Sequence, residues 1–191
     1  DRGDRVSAAA SSVDYVNASG GGVTALRLEG PGPSVEHRLE ALKSEIKDFG
    51  RIEELHTVNS RTFWEEVRDV RPFVGRDDLE YVWRISVPPA DGSRIALFIL
   101  ESLKGEVFYD WGGGQIWLGL KTVVNAGAEV IRAAIAHSGG HATLVKAPAD
   151  IRGEVPVMQP LSDAEAQIAG KIKEGFDPEG VLNPGRMYSG I

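Results

Sequence analysis

The sequence predicts an α+β fold, a mostly antiparallel sheet with helices packed on one face. Three observations predict it. Leu79 to Val87 alternates strictly, with Leu79, Tyr81, Trp83, Ile85 and Val87 on one side of an extended chain. Two further runs, Glu106 to Trp111 and Gln115 to Leu120, flank Gly112-Gly-Gly114, as two strands joined by a turn would. Between such runs, apolar residues recur at three- and four-residue steps, the period of helices resting on a core.

The elements follow in order. Asp1 to Arg5 is polar and reads as a cut linker; a chain opening on Asp rather than Met is expected to continue upstream. Val6 to Val16 and Val23 to Glu29 read as two strands around the turn Asn17 to Gly22, a hairpin. Ser34 is placed to cap a helix whose stripe is Val35, Leu39, Leu42, Ile46 and Phe49, ended by Gly50. Arg51 to Val58 reads as a short strand. Asn59 or Ser60 then caps a helix carrying Phe63, Trp64, Val67 and Val70, stopped by Pro72 and Gly75. After the Leu79–Val87 strand, Pro88-Pro89 breaks the chain, and Asp91 or Ser93 opens a helix through Leu103.

Thr122 to Ser138 reads as a helix with Val130, Ile131, Ala134 and Ile135 inward, and His141 to Lys146 as a strand. Ala147 to Pro160 reads as loop. Ser162-Asp-Ala-Glu165 is a capping box that opens a last helix with Ile168, Ile172 and Phe176 on one stripe. The tail Asp177-Pro-Glu-Gly180 and Asn183-Pro-Gly185 has turn chemistry. It holds too few apolar residues to fold alone, so it is expected to lie against another surface. This alternation of strands and helices, with hairpins, makes each half of the chain a ferredoxin-like unit by expectation.

Composition narrows the function classes. With 191 residues, 42% hydrophobic and 26% charged, the chain can bury a sizeable core and reads as soluble and globular. A net charge of −7 leaves no basic surplus for a nucleic-acid backbone. The longest apolar run, Ile95 to Leu100, is far too short to span a membrane. The absence of Cys fits a reducing compartment, the cytoplasm, and excludes disulfides and cysteine-held metal clusters from this chain. No His or carboxylate pair has good metal spacing, so no metal site is expected.

Gly20-Gly-Gly22 and Gly112-Gly-Gly114 are not phosphate cradles, because neither opens a helix after a strand. They read as turn glycines. His141 stands first on its strand after Gly139-Gly140, where an imidazole can move a proton or bond a carboxylate; the bland reading bonds it to nearby backbone. His37, His56 and His137 have weaker claims. If Trp83 faces the helices, Arg84 faces the other side of the sheet, free to grip a carboxylate or to pair with a neighbouring acid. Trp64 and Trp117 read as core or interface filler.

The end of the last helix and the tail also carry a resemblance. Lys173-Glu-Gly-Phe-Asp-Pro-Glu-Gly-Val-Leu-Asn-Pro-Gly-Arg186 resembles the C-terminal signature of FAD-linked oxidases of the vanillyl-alcohol oxidase superfamily. Trp83-Arg-Ile-Ser86, Asp110-Trp-Gly-Gly113 and Gly139-Gly-His-Ala-Thr143, in that order, narrow the resemblance to the FAD-binding subunit of bacterial glycolate oxidase. The resemblance runs from about Val13 to the end.

It implies a cap (substrate) domain over residues 1–160. Residues 161–191 would be a C-terminal helix and tail that return to an N-terminal FAD-binding domain absent from this chain. It implies His141 and Arg84 as the catalytic candidates, and Asn183, Arg186 and Tyr188 as the cofactor-binding ones. The implied partners are the larger flavin subunit and an iron–sulfur subunit. The implied substrate is a small 2-hydroxy acid, and the implied place is the cytoplasm or, through the complex, the periphery of the inner membrane.

Two rival readings stand beside this one. The chain could be a non-catalytic scaffold or electron-relay part whose sheet face binds partners. It could also be a stand-alone small-ligand domain, if it is a whole native chain. A sheet face holding Arg84 and His141 within reach of one another would favour the enzyme reading. Exposed aromatic residues on that face with no clustered Arg or His would favour the scaffold.

Overall fold

The computed structural model describes Val16 and residues 20–190 of the chain. It divides into two compact units, Asp1–Pro72 and Phe73–Ile191.

In the first unit, helix α1 spans Gly32–Ile46 and helix α2 spans Thr57–Arg68. Ser34 does not cap α1. The helix begins two residues earlier behind Pro31, because Pro33 already holds helical φ and needs no N–H in a first turn. Its expected stripe is present, with Val35, Leu39, Leu42 and Ile46 half-buried, but Phe49 is exposed. Likewise α2 starts behind His56, so Asn59 and Ser60 lie inside its first turn and do not cap it. Phe63 is buried there, edge-on to Trp64 at 5.5 Å, with Ala25, Leu55 and Val67 around it.

The expected strands over Val23–Glu29 and Arg51–Val58 do not form. Ala25 and Leu55 instead pack against Phe63, and no ladder partner lies beside either run among the described residues. The strand expected over Val6–Val16 falls outside the described residues except at Val16, which is helical. A ferredoxin-like first half is therefore not what these residues build.

The second unit is that fold. Strand β1 (Tyr81–Ser86), helix α3 (Gly92–Ser102), strands β2 (Gly105–Asp110) and β3 (Gln115–Leu120), helix α4 (Ala128–Ile135) and strand β4 (His141–Lys146) follow in order. They form one antiparallel sheet with strand order β2-β3-β1-β4. This β-α-β-β-α-β order with β1 central is the ferredoxin-like arrangement. Helices α3 and α4 bury Ile95, Ile99, Ile131 and Ile135 against Tyr81, Trp83, Ile85, Ile116, Leu118 and Leu144. Trp83 donates its indole N–H to the Ala126 carbonyl at 2.9 Å, which satisfies the one polar atom this large side chain takes into the core.

Three expectations change here. Leu79 leaves the face it was expected to share with Tyr81. It precedes the strand proper and lies where a Cβ on Gly119 would point, away from the helices. The helix expected over 122–138 shortens to α4, because Asn125, Ala126 and Gly127 turn with positive φ just before it. Gly127 also backs so closely on Leu103 that a Cβ there would stand 2.6 Å from its side chain. The expected loop 147–160 contains a short helix α5 (Ala149–Glu154), ended by buried Val155.

Beyond α5 the chain runs along the outer edge of β4. Leu144 donates its N–H to Val157 O at 2.8 Å, and Ala142 donates to the Gln159 side chain at 3.3 Å. Arg132 on α4 fixes this run by donating to the carbonyls of Pro156 and Met158 while its guanidinium lies 5.7 Å over the Trp83 ring. Burial pushes that guanidinium below its ordinary pKa. Helix α6 (Asp163–Phe176) opens with the expected capping box between Ser162 and Glu165. Its stripe, however, is exposed: Ile168, Ile172 and Phe176 face solvent, Phe176 at 85%.

Candidate functional site

The candidate site is the sheet face turned away from α3 and α4. Directly opposed residues of an antiparallel ladder share a face, so the register defines its rows. One row is Phe108, Trp117, Arg84 and Thr143 across β2, β3, β1 and β4. The next row, toward the β2–β3 turn, is Asp110, Gln115, Ser86 and His141. The row at the other end holds Glu106, Gly119 and Val82 and is roofed by Phe73 and Leu79.

Arg84 and His141 therefore share this face as diagonal neighbours on adjacent strands, about 7–8 Å apart at their Cα atoms by ladder geometry. Both side chains are exposed. Among the described residues Arg84 makes no ion pair, so the expected alternative of a neighbouring acid is not taken up there. Beside it an aromatic strip runs from buried Phe73 through Phe108 (5.4 Å) to Trp117, which stacks on Phe108 at 6.3 Å. Trp117 is half-buried on this face and is no part of the helix-covered core. The arrangement offers a free guanidinium, an imidazole and a flat aromatic surface on one rigid ladder.

The row's ends are held differently. Asp110 accepts the Trp111 N–H at 2.7 Å and starts the turn, where Gly112 and Gly113 have positive φ. This turn is no ligand cradle. It packs backbone to backbone on the start of α3, where a Cβ on Gly92 would stand 2.0 Å from the Gly113 carbonyl oxygen. At the opposite end of the strands lies an open cleft of about 630 Å³ lined by Asp78, Glu80, Lys121 and Lys146. Lys146 donates there to the carbonyls of Arg76 and Leu79, and Arg76 bridges Asp78 and Glu106, holding the Asp78 carboxyl down to about 2. Asp78 and Lys146 are thus already engaged, by Arg76 and by backbone carbonyls.

The tail residues Asn183, Arg186 and Tyr188 are not joined to Arg84 or His141 by any described contact. Asn183 has φ +47° and accepts the Arg186 N–H at 3.2 Å in a local turn. Asn183 and Arg186 are exposed and Tyr188 is half-buried. Leu182 and Met187 stay outside the unit's core.

The residue that organises the tail is one sequence reasoning passed over. Asp177, buried at the end of α6, accepts the N–H groups of Val181 (2.9 Å) and Leu182 (2.8 Å) and the ammonium of Lys173 (2.6 Å). Lys173 also donates to the Leu182 carbonyl. The Lys173 ammonium, with the Leu182 and Val181 N–H groups, holds the Asp177 carboxyl below its ordinary pKa. An Asp before Pro at a helix end is the signal that could have found it.

No protein-family model matches the chain. Over 128 residues, 66% of this chain, it is 34% identical to glycolate oxidase subunit GlcE of Escherichia coli (strain K12). This chain is a relative of GlcE. It spans about a third of that subunit's length, the alignment taking in 31% of it. The relation to GlcE and the ferredoxin-like sheet agree with the resemblance carried by the motifs on β1, the β2–β3 turn and the start of β4. Among the described residues no helix is long and apolar enough to cross a membrane, and no group of three His, Cys, Asp or Glu side chains is placed to hold a metal ion.

Proposed function

We propose that this chain is the C-terminal part of an FAD-dependent subunit in a 2-hydroxy-acid oxidase complex that converts glycolate to glyoxylate. The observation that carries this reading is the unpaired Arg84, exposed on the same sheet face as His141, in a chain related to GlcE. A guanidinium without an acidic partner on a flat face is suited to a two-pronged bond with a small carboxylate. The diagonal imidazole of His141 is suited to accept the hydroxyl proton of the same small molecule at a ring nitrogen.

The residues present fit a cover over a flavin better than its main seat. The glycine turn 112–114 packs against Gly92, and among the described residues no glycine-rich loop opens a helix after a strand. FAD, when bound, supplies the acceptor for the two electrons of the alcohol oxidation. In this reading its main seat lies in residues beyond this chain, and Asn183, Arg186 and Tyr188 wall it from the tail. Trp117 and Phe108 exclude water beside Arg84. A larger flavin subunit and an iron–sulfur subunit are the partners of this reading, in the cytoplasm or at the inner membrane's inner surface.

A second reading, a scaffold or electron-relay part, is favoured by the Phe73–Phe108–Trp117 strip and by the cleft lying at the other end of the strands from His141. The visible absorption spectrum of the full-length protein separates the two. Flavin bands that bleach on adding glycolate are expected. Bands that do not bleach would move the assignment to the relay. A protein that stays colourless and cannot be loaded with FAD would overturn both flavin readings.

A further inference from the structure

The two edges of the sheet are not equivalent. Val87 N–H bonds to Gly114 O, which places the odd-numbered groups of β1 toward β3 and the even-numbered ones toward β4. It follows that β3 meets β2 through Gln115, Trp117 and Gly119, and that Gly105, Val107 and Tyr109 point their N–H and C=O groups outward. The corresponding outward N–H groups of β4, those of Ala142 and Leu144, are taken by Gln159 and Val157. Those of β2 have no partner among the described residues. Nor is this edge blunted by a proline, a bulge or an inward charge.

We propose that β2 pairs with β2 of a second copy of this chain, antiparallel, about a two-fold axis through Val107. Its charges select that register. With Val107 opposite Val107, Lys104 stands opposite Asp110 of the copy, twice over by symmetry, and Tyr109 stands opposite Gly105. Arg76 already holds Glu106, whereas among the described residues Asp110 bonds only the neighbouring N–H, so Asp110 is the carboxylate with capacity left for a lysine. Moving the axis to Phe108 sets Glu106 against Asp110 twice, and moving it to Glu106 sets that carboxylate against itself. Moving it to Tyr109 runs the strand into Trp111, whose φ of +54° ends the extended chain.

The pairing also covers apolar surface. Tyr109 is 41% exposed on the helix side of the edge, where a flat ring over a glycine is well accommodated. Opposed residues share a face, so the seam joins two four-stranded sheets into one of eight strands, with α3 of both copies on one side. Helix α3 packs over β2 and β3 and carries Leu97 and Phe98, 61% and 51% exposed, toward solvent. This goes beyond the proposed redox reading and does not depend on it.

The chain has no cysteine, so one introduced thiol reports one register. A hydrogen-bonded antiparallel pair sets Cα atoms about 5.5 Å apart, within the span of a disulfide. On mild oxidation Val107→Cys is expected to give a covalent dimer and Tyr109→Cys not to. In sedimentation of the cysteine-free chain a dimer is expected, and Lys104→Glu, which sets an acid against Asp110, raises its dissociation constant at least about threefold. Tyr109→Pro, which removes one outward N–H and keeps the far-UV spectrum, abolishes the dimer. A monomer at every concentration overturns the proposal. So does a Tyr109→Cys chain that cross-links as readily as Val107→Cys, or a dimer indifferent to Tyr109→Pro.

Discussion

Lys173 Nζ lies 2.6 Å from Asp177 Oδ2, one helical turn apart, at the point where α6 gives way to the tail. The pair makes a turn out of a sequence that has no core of its own. Asp177 closes the next four residues by accepting two backbone N–H groups, and Lys173 reaches over to the Leu182 carbonyl. Replacing Asp177 with Ala removes the acceptor of both N–H groups and leaves Lys173 without its counter-ion. The amides of Val181 and Leu182 are expected to exchange at least about tenfold faster, with the sheet amides unchanged. Equal exchange in both proteins would show that the prolines alone hold the tail.

The same carboxyl sets a pH window. Its folded pKa is depressed, so its contribution is complete above the unfolded Asp value, about 3.9, and is lost as pH falls through the lower folded value. The tail turn is expected to persist unchanged from neutral pH to about pH 4 and to open only below it. Chemical shifts of the Val181 and Leu182 amides followed against pH check this. A midpoint above pH 4 would mean that the Lys173 ammonium does not protect the charge.

The β2–β3 turn is locked to α3 through two glycines. A Cβ on Gly92 would meet the Gly113 carbonyl oxygen at 2.0 Å, and that oxygen belongs to backbone that cannot rotate away. Gly92→Ala is expected to cost about 3 kcal/mol or more in urea unfolding. Gly153→Ala in α5, where the added methyl meets open space, is expected to be neutral or to stabilise by up to about 1 kcal/mol. Like outcomes for the two would remove the packing argument.

Trp83 couples the sheet to the turn before α4. Its ring is buried, its N–H holds the Ala126 carbonyl, and Arg132 lies over it. Ala126 itself sits at φ +52°, a conformation that costs a non-glycine residue energy and that the bond helps to hold. Trp83→Phe keeps most of the apolar volume but orphans that carbonyl. A loss of about 2–4 kcal/mol is expected in denaturant unfolding, with the flattened protection of the 124–127 amides as its local sign. A cost under 1 kcal/mol would mean that water takes over the bond.

What could be read from the residues was the part written in strict periods. The alternation from Tyr81 to Val87, the two runs around Gly112 and the Ser162–Glu165 box each have local chemistry that the structure repeats. The run 23–29 alternates too, and 51–58 reads as a short strand, but a strand exists only with a ladder partner, and neither run carries that information. The shortening of α4 was hidden because Ala126 and Asn125 adopt positive φ without being glycine. For the site, period two was enough to put Arg84 opposite Trp83. That His141 lands on the same face needed the register of β4 against β1, which passes through a bulge between Val82 and Trp83. The role of Asp177 was masked by the neighbouring Pro, which explained the turn without it.

Arg84 offers the sharpest separation of function from fold. A cation in the middle of a sheet normally survives by pairing with an acid or by lying in solvent with no role. Arg84 is exposed and has no acidic partner among the described residues, so removing its charge takes nothing from the fold they build. Arg84→Met should change stability by no more than about 0.5 kcal/mol. If it grips the substrate carboxylate, the same change in the full-length flavoprotein removes a charge-assisted, two-pronged bond and raises KM for glycolate at least about tenfold. Arg84→Lys keeps the charge but loses the planar fork, so it should recover only part of the affinity. His141→Gln, which keeps a hydrogen-bonding side chain but cannot act as a base, should instead lower kcat with KM little changed. Unfolding curves that match the parent, with KM moved by Arg84 and kcat by His141, would assign the two roles to the two strands. Steady-state kinetics indifferent to both variants would take the chemistry off this face and leave the aromatic strip as a surface for a partner.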